Sequence, residues 1–269
     1  MKTLIWFRDD LRTEDHPALR KAIKHGTAGT AAIFIASPDS WNEHQMGPAR
    51  VSFMLATLKS LQKDLQAMGI PLVFRTAPRH SDAPRIIEEL VRQHGIEEVH
   101  AGLEYGVDEI ARDRAVSKIL KPLNATLLLS DTQTILPVYE IRNKAGLPYK
   151  VFTPFRRAWE DKYMASLQAD VTPLPKATSL DVKTLELPER IDGFDDWNSN
   201  ELWPAGQAEA LSRMAAFVEE DRASSYKDKR DRPDMEGTSS LSPWLAVGAI
   251  SPTRCLATVA SVHGPDITS

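Results

Sequence analysis

The sequence predicts an α/β fold in which five parallel strands form a doubly wound sheet. Through the first half of the chain, short apolar runs of strand length alternate with amphipathic segments of helix length. This alternation is typical of a parallel sheet with helices on both faces. The composition, with 42% hydrophobic and 26% charged residues, is that of a globular protein rather than of a disordered or fibrous one.

Five apolar runs are the predicted strands. In chain order they are TLIWFR (3–8), TAAIFIA (30–36), PLVFR (71–75), EEVHAG (97–102) and ATLLLS (125–130). The clearest helix lies between the second and third strands, because apolar residues recur there at helical spacing from Pro48 to Gly69. Another helix, over about 107–121, is expected to face the core with its apolar residues, which are Val107, Ile110, Ala111, Val116, Ile119 and Leu120.

The rest of the chain is predicted to divide into a connector and the start of a second domain. Residues 131–200 contain six prolines that interrupt any long element, so they are expected to connect the α/β domain at 1–130 to the second domain. Residues 201–269 begin a helical domain. Its first helix starts near Gly206 and carries one apolar face, made of Leu211, Met214, Ala215 and Val218.

Several classes of protein are excluded or disfavoured by composition and motifs. The lone Cys255 excludes an internal disulfide and a cysteine-rich zinc cluster, and no metal site is predicted because the seven histidines form no HExxH motif. Neither GxGxxG nor GxxxxGK[ST] occurs, which disfavours nicotinamide dinucleotide and P-loop sites. No apolar run approaches the roughly 20 residues that span a bilayer, and the charged start is not a secretory signal, so a cytoplasmic protein without membrane contact is expected.

Polar residues after the second and fourth strands form the first candidate site. In a doubly wound sheet, ligands bind beyond the carboxyl ends of the strands. His44 follows the second strand, and Asp108 and Glu109 follow the fourth. These side chains are expected to converge over one edge, where they suit a ring ligand with N–H donors. The alternative is that they only solvate loops and cap a helix.

Two further stretches suggest binding of phosphate groups. The segment RASSYKDKRDRP (222–233) has an excess of basic residues beside Tyr226, as a contact to a nucleic-acid backbone requires, although such a run is also typical of a solvated loop. Because the net charge is −4, any DNA contact must come from a local patch of this kind. The segment GTSSLS (237–242) offers backbone N–H groups and hydroxyls before a short helix. These groups could bind an anion, or a Ser or Thr hydroxyl could simply cap the helix.

Four motifs taken together resemble the DNA photolyase and cryptochrome family. They are LIWFRDDLRTEDHPAL near the start, HQMGPAR before the long helix, YKVFTPFRRAW (149–159) in the connector, and RDRPDMEGTSSLSPWLAVGAISPTRCL after Tyr226. The resemblance covers essentially the whole chain. It is greatest to the bacterial photolyases that repair cyclobutane pyrimidine dimers and carry a folate antenna.

The resemblance implies cofactor sites in both parts of the chain. Residues 1–130 would form a Rossmann-like antenna domain, in which His44, Asp108 and Glu109 match the positions that contact 5,10-methenyltetrahydrofolate. Asp108 stands where an amide side chain is common. Arg230 matches a position associated with DNA. The segment that binds the FAD diphosphate is matched by Tyr226, Thr238, Ser239, Ser240, Leu241 and Ser242, of which Ser240 replaces a residue that is often basic.

The implied activity is light-driven repair of pyrimidine dimers in double-stranded DNA, by electron transfer from reduced FAD with an antenna pigment. In the family, a helical domain of comparable size follows the last motif. The 269 residues are therefore expected to be an inactive amino-terminal fragment, monomeric or self-associating through an uncovered helix face. Two alternatives remain, a cryptochrome-type blue-light receptor and a stand-alone pigment- or nucleotide-binding α/β module without catalysis.

Overall fold

Five parallel strands form a single sheet, as predicted. The computed structural model describes residues 1–163, 169–197, 202–219 and 222–264. The strands are β1 (Lys2–Phe7), β2 (Gly29–Ala36), β3 (Leu72–Thr76), β4 (Glu98–Gly102) and β5 (Thr126–Ser130). Their order across the sheet is β3-β2-β1-β4-β5, and every pair is parallel. The strand order reverses between β1 and β4, which creates a crevice at the carboxyl ends of these two strands.

Ten helices accompany the sheet in the described ranges. They are α1 (Pro17–His25), α2 (Pro38–Glu43), α3 (Pro48–Ala67), α4 (Ala83–His94), α5 (Val107–Leu120), α6 (Phe152–Tyr163), α7 (Gln207–Glu219), α8 (Tyr226–Lys229), α9 (Ser242–Ala246) and α10 (Pro252–His263). The predicted helix after Pro48 is confirmed as α3, which begins at that proline because its fixed φ and missing N–H suit a first turn. Among the described residues, no helix combines the length and the apolar character needed to cross a membrane.

The sheet separates two hydrophobic cores. Successive side chains of a strand point to opposite faces, so Ile5 and Phe7 of β1 pack with α1 and α3, whereas Leu4 and Trp6 pack with α4 and α5. Each large side chain buried in this way contributes about 1.5–3 kcal/mol. The alternation of apolar segments seen in the sequence therefore corresponds to a sheet covered on both sides.

The core on the α1 and α3 side continues into the second half of the chain. Met214 and Val218 of α7 are 2% and 5% exposed and belong to the same cluster as the sheet residues. Trp244 of α9 packs edge-on against Phe53 of α3, with ring centroids 5.9 Å apart. The α/β domain thus covers the apolar face of α7, which was expected from the sequence to be uncovered.

The connector is partly folded against the α/β domain. Near the amino end of β2, the N–H of Thr30 donates to the carbonyl of Thr178 (2.8 Å), and the N–H of Leu180 donates to the carbonyl of Thr30 (3.1 Å). Leu180 is buried in the core beneath α4 and α5. The residue limits proposed for the connector and for the two domains remain predictions, because the buried clusters extend across them.

The predicted core face of α5 is partly wrong. Val107 is 84% exposed, and Ala111 is also exposed. The buried residues of α5 are Arg112, Asp113, Val116 and Leu120. The helix is rotated relative to the apolar pattern because Arg112 and Asp113 pair with other charged side chains on the sheet side of the helix.

Candidate functional site

A cavity of about 270 Å³ lies at the crevice between the carboxyl ends of β1 and β4. Its lining comes from both sides of the crevice, with His44 after α2 and Glu109 in the first turn of α5. A second cavity of about 260 Å³ adjoins it, since His80 and Arg112 line both. Asp108 lines this second cavity. The two cavities together occupy the position at which doubly wound sheets bind ligands.

The structure brings together the three residues predicted at this edge. His44 Nε2 lies 3.1 Å from Asp108 Oδ2, and both side chains are 59% exposed. Glu109 Oε1 lies 3.7 Å from His80 Nδ1, at partly buried positions. A Cβ added at Gly106 would lie 1.9 Å from the Glu109 carboxylate, so glycine at the N-cap of α5 lets this side chain fold back over the start of the helix.

The floor of the first cavity contains buried charges that the sequence analysis missed. Arg8 donates to both carboxylate oxygens of Asp113, at 2.9 and 2.7 Å, and Arg112 donates to Glu104 at 2.6 Å. The guanidinium carbons of Arg8 and Arg112 lie 4.1 and 4.8 Å from the ring centroid of Trp6. Trp6 and Arg8 are far in sequence from Glu104, Arg112 and Asp113, and the adjacency of β1 and β4 brings the two groups together.

Asp9 lies between the first cavity and a third, larger one, and it lines both. Arg50 donates to its carboxylate at 2.8 Å and to the carbonyl of Ala246 at 3.2 Å. Burial raises the pKa of Asp9 to about 6 against the opposing effect of Arg50, and the carboxylates of Glu104, Asp10 and Glu109 raise it further. The pKa of the neighbouring Asp10 is shifted in the opposite direction. Burial would raise the pKa of Asp10, but His16, the N–H of Arg8 and Arg12 lower it to about 2.

The third cavity, of about 670 Å³, lies among α7, α9, α10 and the residues that follow β5. Its lining is mainly apolar and includes Phe217, Leu245 and Leu256. Ser239 and Leu241 of the predicted diphosphate-binding segment also line it. A large apolar cavity with a few polar groups is the usual form of a cofactor site.

The turn before α9 presents backbone donors. Within the described part of the chain, the N–H groups of residues 238–241 donate no hydrogen bond. Ser240 has a φ of +53° and is followed by Leu241 with helical angles, an arrangement in which successive N–H groups form an anion-binding concavity. The alternative of a hydroxyl N-cap is wrong, because the N-cap of α9 is Leu241.

Thr238 and Ser242 flank this concavity. The hydroxyl oxygens of Thr238 and Ser240 are 3.3 Å apart, and Ser242 is the first residue of α9. Arg213 of α7 donates to the carbonyl of Ser239 at 3.1 Å, which attaches the turn to the helix beneath it. Hydroxyl groups and N–H groups of one short segment are thus available on the same turn.

Tyr226 and Arg230 lie beside this turn. Gly237 approaches the end of α8 so closely that a Cβ there would lie 2.5 Å from the carbonyl oxygen of Lys229. Tyr226 is 42% exposed, and the guanidinium carbon of Arg230 lies 5.9 Å from its ring centroid. Part of the basic excess is neutralised locally, since Arg232 pairs with Asp234 at 2.8 Å. Arg230 remains half-exposed, with Asp231 3.7 Å away.

The chain is similar in sequence and in fold to known photolyases. A deoxyribodipyrimidine photo-lyase from Vibrio cholerae is 31% identical over 94% of this chain and 54% of its own length. The corresponding protein of Escherichia coli is 32% identical over 94% of this chain and 53% of its own length. The crystal structure of a bacterial class III photolyase from Agrobacterium tumefaciens superposes with a TM-score of 0.81 at 28% identity, covering 96% of this chain and 52% of that one.

The chain spans about half the length of these curated photolyases. It covers 85% of an uncharacterized 31.6 kDa protein from Synechococcus, to which it is 28% identical over 92% of its own length. The sequence model of the DNA photolyase family matches residues 3–177, which is more than half of the chain. From this match, and from a parallel sheet with cavities at the crevice between β1 and β4, we conclude that the chain belongs to the DNA photolyase family.

Proposed function

We propose that the chain supplies the pigment-binding domain and part of the flavin site of a light-driven repair enzyme. Its substrate would be the cyclobutane pyrimidine dimer in double-stranded DNA. Its curated relatives are named deoxyribodipyrimidine photo-lyase. One observation carries the proposal. His44, at the end of α2 after β2, and Asp108 and Glu109, in the first turn of α5 after β4, lie around adjoining cavities at the crevice between β1 and β4.

The proposed pigment of these cavities is 5,10-methenyltetrahydrofolate. The carboxylates of Asp108 and Glu109 can accept hydrogen bonds from the amino and ring N–H groups of a pterin, and His44 can position Asp108 through their 3.1 Å contact. The Nδ1 atom of His80 is buried and has no hydrogen-bond partner among the described residues, which leaves it available to a ligand. The residues present therefore fit a flat ring with several donors.

The proposed cofactor of the turn at 238–242 is FAD. When bound, reduced FAD supplies the electron that opens the cyclobutane ring. The unused N–H groups at 238–241 suit a diphosphate, and Tyr226 and Ser242 lie on elements beside them. Arg230 is proposed as a DNA contact because its side chain is about half-exposed and can reach a phosphate.

Binding of the pigment tests the central observation. The chain is mixed with methenyltetrahydrofolate and separated by gel filtration, and the near-ultraviolet absorption of the bound pigment is titrated. We expect Glu109→Gln to weaken binding about 10- to 100-fold, because a hydrogen bond to a charged group is worth about 1.5–3 kcal/mol. Glu186→Gln, at an exposed position of the connector, serves as the control and should bind as the unaltered chain does. Equal binding by both variants contradicts the site.

A second candidate is a pigment-binding module without catalysis. A relative of similar length is known, since the chain covers 85% of the uncharacterized Synechococcus protein. Loss of dimers from a duplex oligonucleotide, measured in the presence of FAD under blue light and in darkness, tests this candidate. Repair by the chain that depends on light contradicts the module. Pigment binding without repair is the outcome expected of the module, of a light receptor of the cryptochrome type and of a chain that holds only part of the flavin site.

A further inference from the structure

Three potential metal ligands meet at the amino end of β4, on the edge of the sheet opposite the cavities. Glu98 and His100 are alternate residues of β4, so their side chains lie on one face, and His25 is the last residue of α1, which covers that face. His25 Nδ1 lies 2.8 Å from Glu98 Oε2, and His100 Nε2 lies 2.9 Å from the same oxygen. All three ligand atoms lie within 4.8 Å of one another.

The contacts of the cluster leave room for a cation. A ring nitrogen of His25 and one of His100 both face the same carboxylate oxygen of Glu98. Lys21, a neighbouring cation on α1, donates to Ser130 Oγ at 3.0 Å. Neutral imidazoles and an ionised carboxylate are the forms that bind metal ions.

We propose that His25, Glu98 and His100 bind a divalent transition-metal ion, with Zn²⁺ as the representative case. Two imidazoles and one carboxylate are an established ligand set for Zn²⁺ and other divalent transition metals. His100 is fully buried, whereas the His25 side chain is 36% exposed, so one side of the cluster opens to solvent. A water molecule completes the coordination there, as in other sites with three protein ligands.

Metal binding requires these donor atoms to move. With metal–ligand bonds of about 2.0–2.1 Å, the donor atoms of a tetrahedral site lie about 3.3 Å apart. The two N···O distances must therefore lengthen by about half an ångström, and the two ring nitrogens, which lie within 4.8 Å of each other, must come to the same separation. Glu98 and His25 are partly exposed and can move by this amount, while buried His100 provides the fixed ligand. The bound ion would attach the end of α1 to β4, in a part of the molecule separate from the pigment cavities.

Calorimetric titration of the whole chain with Zn²⁺, after treatment with a chelator, tests this site. We expect one ion per chain with micromolar affinity, a rise in Tm on addition of Zn²⁺, and visible d–d bands when Co²⁺ replaces Zn²⁺. His25→Ala and Glu98→Gln should each weaken binding at least tenfold. Circular dichroism establishes that each variant is folded, which is expected because both side chains are partly exposed.

His263→Ala is the matched control, since this histidine is exposed at the end of α10. It should leave the affinity unchanged. Binding weaker than about 1 mM by the unaltered chain, or equal affinity in His25→Ala and His263→Ala, overturns the proposal. The Zn²⁺-dependent rise in Tm provides a second readout on the unaltered protein, and its absence counts against the site even if a variant fails to fold.

Discussion

At the scale of single residues, Asp9 is a carboxylate whose pKa the fold raises strongly. Its carboxylate lies between two cavities, and its pKa is raised from 3.8 to about 6, first by burial. An aspartate of the unfolded chain keeps the lower value. Between about pH 4 and pH 6 the folded protein therefore binds more protons than the unfolded chain, so this group destabilises the fold progressively as pH rises through that window.

The substitution Asp9→Asn removes this dependence. We expect the Tm of the variant, relative to the Tm of the unaltered chain, to be higher at about pH 7.5 than at about pH 4.5. Only the unaltered chain carries the charge of Asp9 at the higher pH. The variant also loses the ion pair with Arg50 at the higher pH. The pKa of about 6 already includes the effect of this pair, so the expected sign of the change in Tm stays the same. Thermal unfolding at both pH values measures the effect.

Asp228→Asn, at an exposed position of α8, is the control. Its difference in Tm should be the same at both pH values. An Asp9→Asn difference that is also independent of pH would show that the carboxylate is ionised equally in the folded and unfolded chain.

At the scale of elements, the segment after α9 is joined closely to the loop after β1. Leu11 donates its N–H to the carbonyl of Val247 at 3.0 Å, and Arg12 donates to the carbonyl of Gly248 at 3.1 Å. Gly248 has a φ of +65°, and a Cβ there would lie 2.2 Å from the carbonyl oxygen of Asp9. This close approach positions α9, and with it the turn at 238–242, against the α/β domain.

Gly248→Ala should therefore be strongly destabilising. The positive φ costs about 1–2 kcal/mol and crowding against the backbone adds about 1–3 kcal/mol, so we expect a loss of about 3 kcal/mol in the free energy of unfolding. Denaturant titration gives the value. Gly95→Ala is the matched control, because Gly95 has a φ of +64° but nothing within 4 Å of its added Cβ. Equal losses in the two variants would contradict the proposed crowding.

At the scale of the whole molecule, one hydrophobic core joins the two halves of the chain. Residues of the sheet and α3 share a cluster with Met214, Phe217 and Trp244. The α/β domain predicted at residues 1–130 therefore loses partners when it is separated from the rest, although its strands and the core beneath α4 and α5 stay complete apart from Leu180.

A chain ending at residue 135 tests this arrangement. We expect far-ultraviolet circular dichroism typical of an α/β protein, with a lower Tm than the whole chain and binding of a hydrophobic dye to the uncovered face, because apolar surface is returned to water. A disordered spectrum would show that residues 1–135 do not fold independently. A Tm equal to that of the whole chain would show that α7 and α9 contribute nothing to the stability of the sheet.

The features predicted correctly from sequence are those with a local signal. Each strand was located within one residue, because an apolar run between turn residues reports burial of consecutive side chains. The start of α3 at Pro48 follows from proline chemistry alone. The contact of His44 with Asp108, and the cavity that His44 shares with Glu109, agree with a general rule about the carboxyl edge of doubly wound sheets.

Other features were decided only by the tertiary structure. Apolar periodicity alone placed Val107 and Ala111 wrongly on the core face of α5, because the pairing of Arg112 and Asp113 with Glu104 and Arg8 outweighs the burial of Val107. The cluster of His25, Glu98 and His100 likewise depends on α1 covering β4. In both cases one contact joins residues that are distant in sequence, Arg8 with Asp113 and His25 with Glu98. Sequence by itself determined where strands and helices form, since those signals are local, whereas the packing of the elements decided which charged side chains became partners.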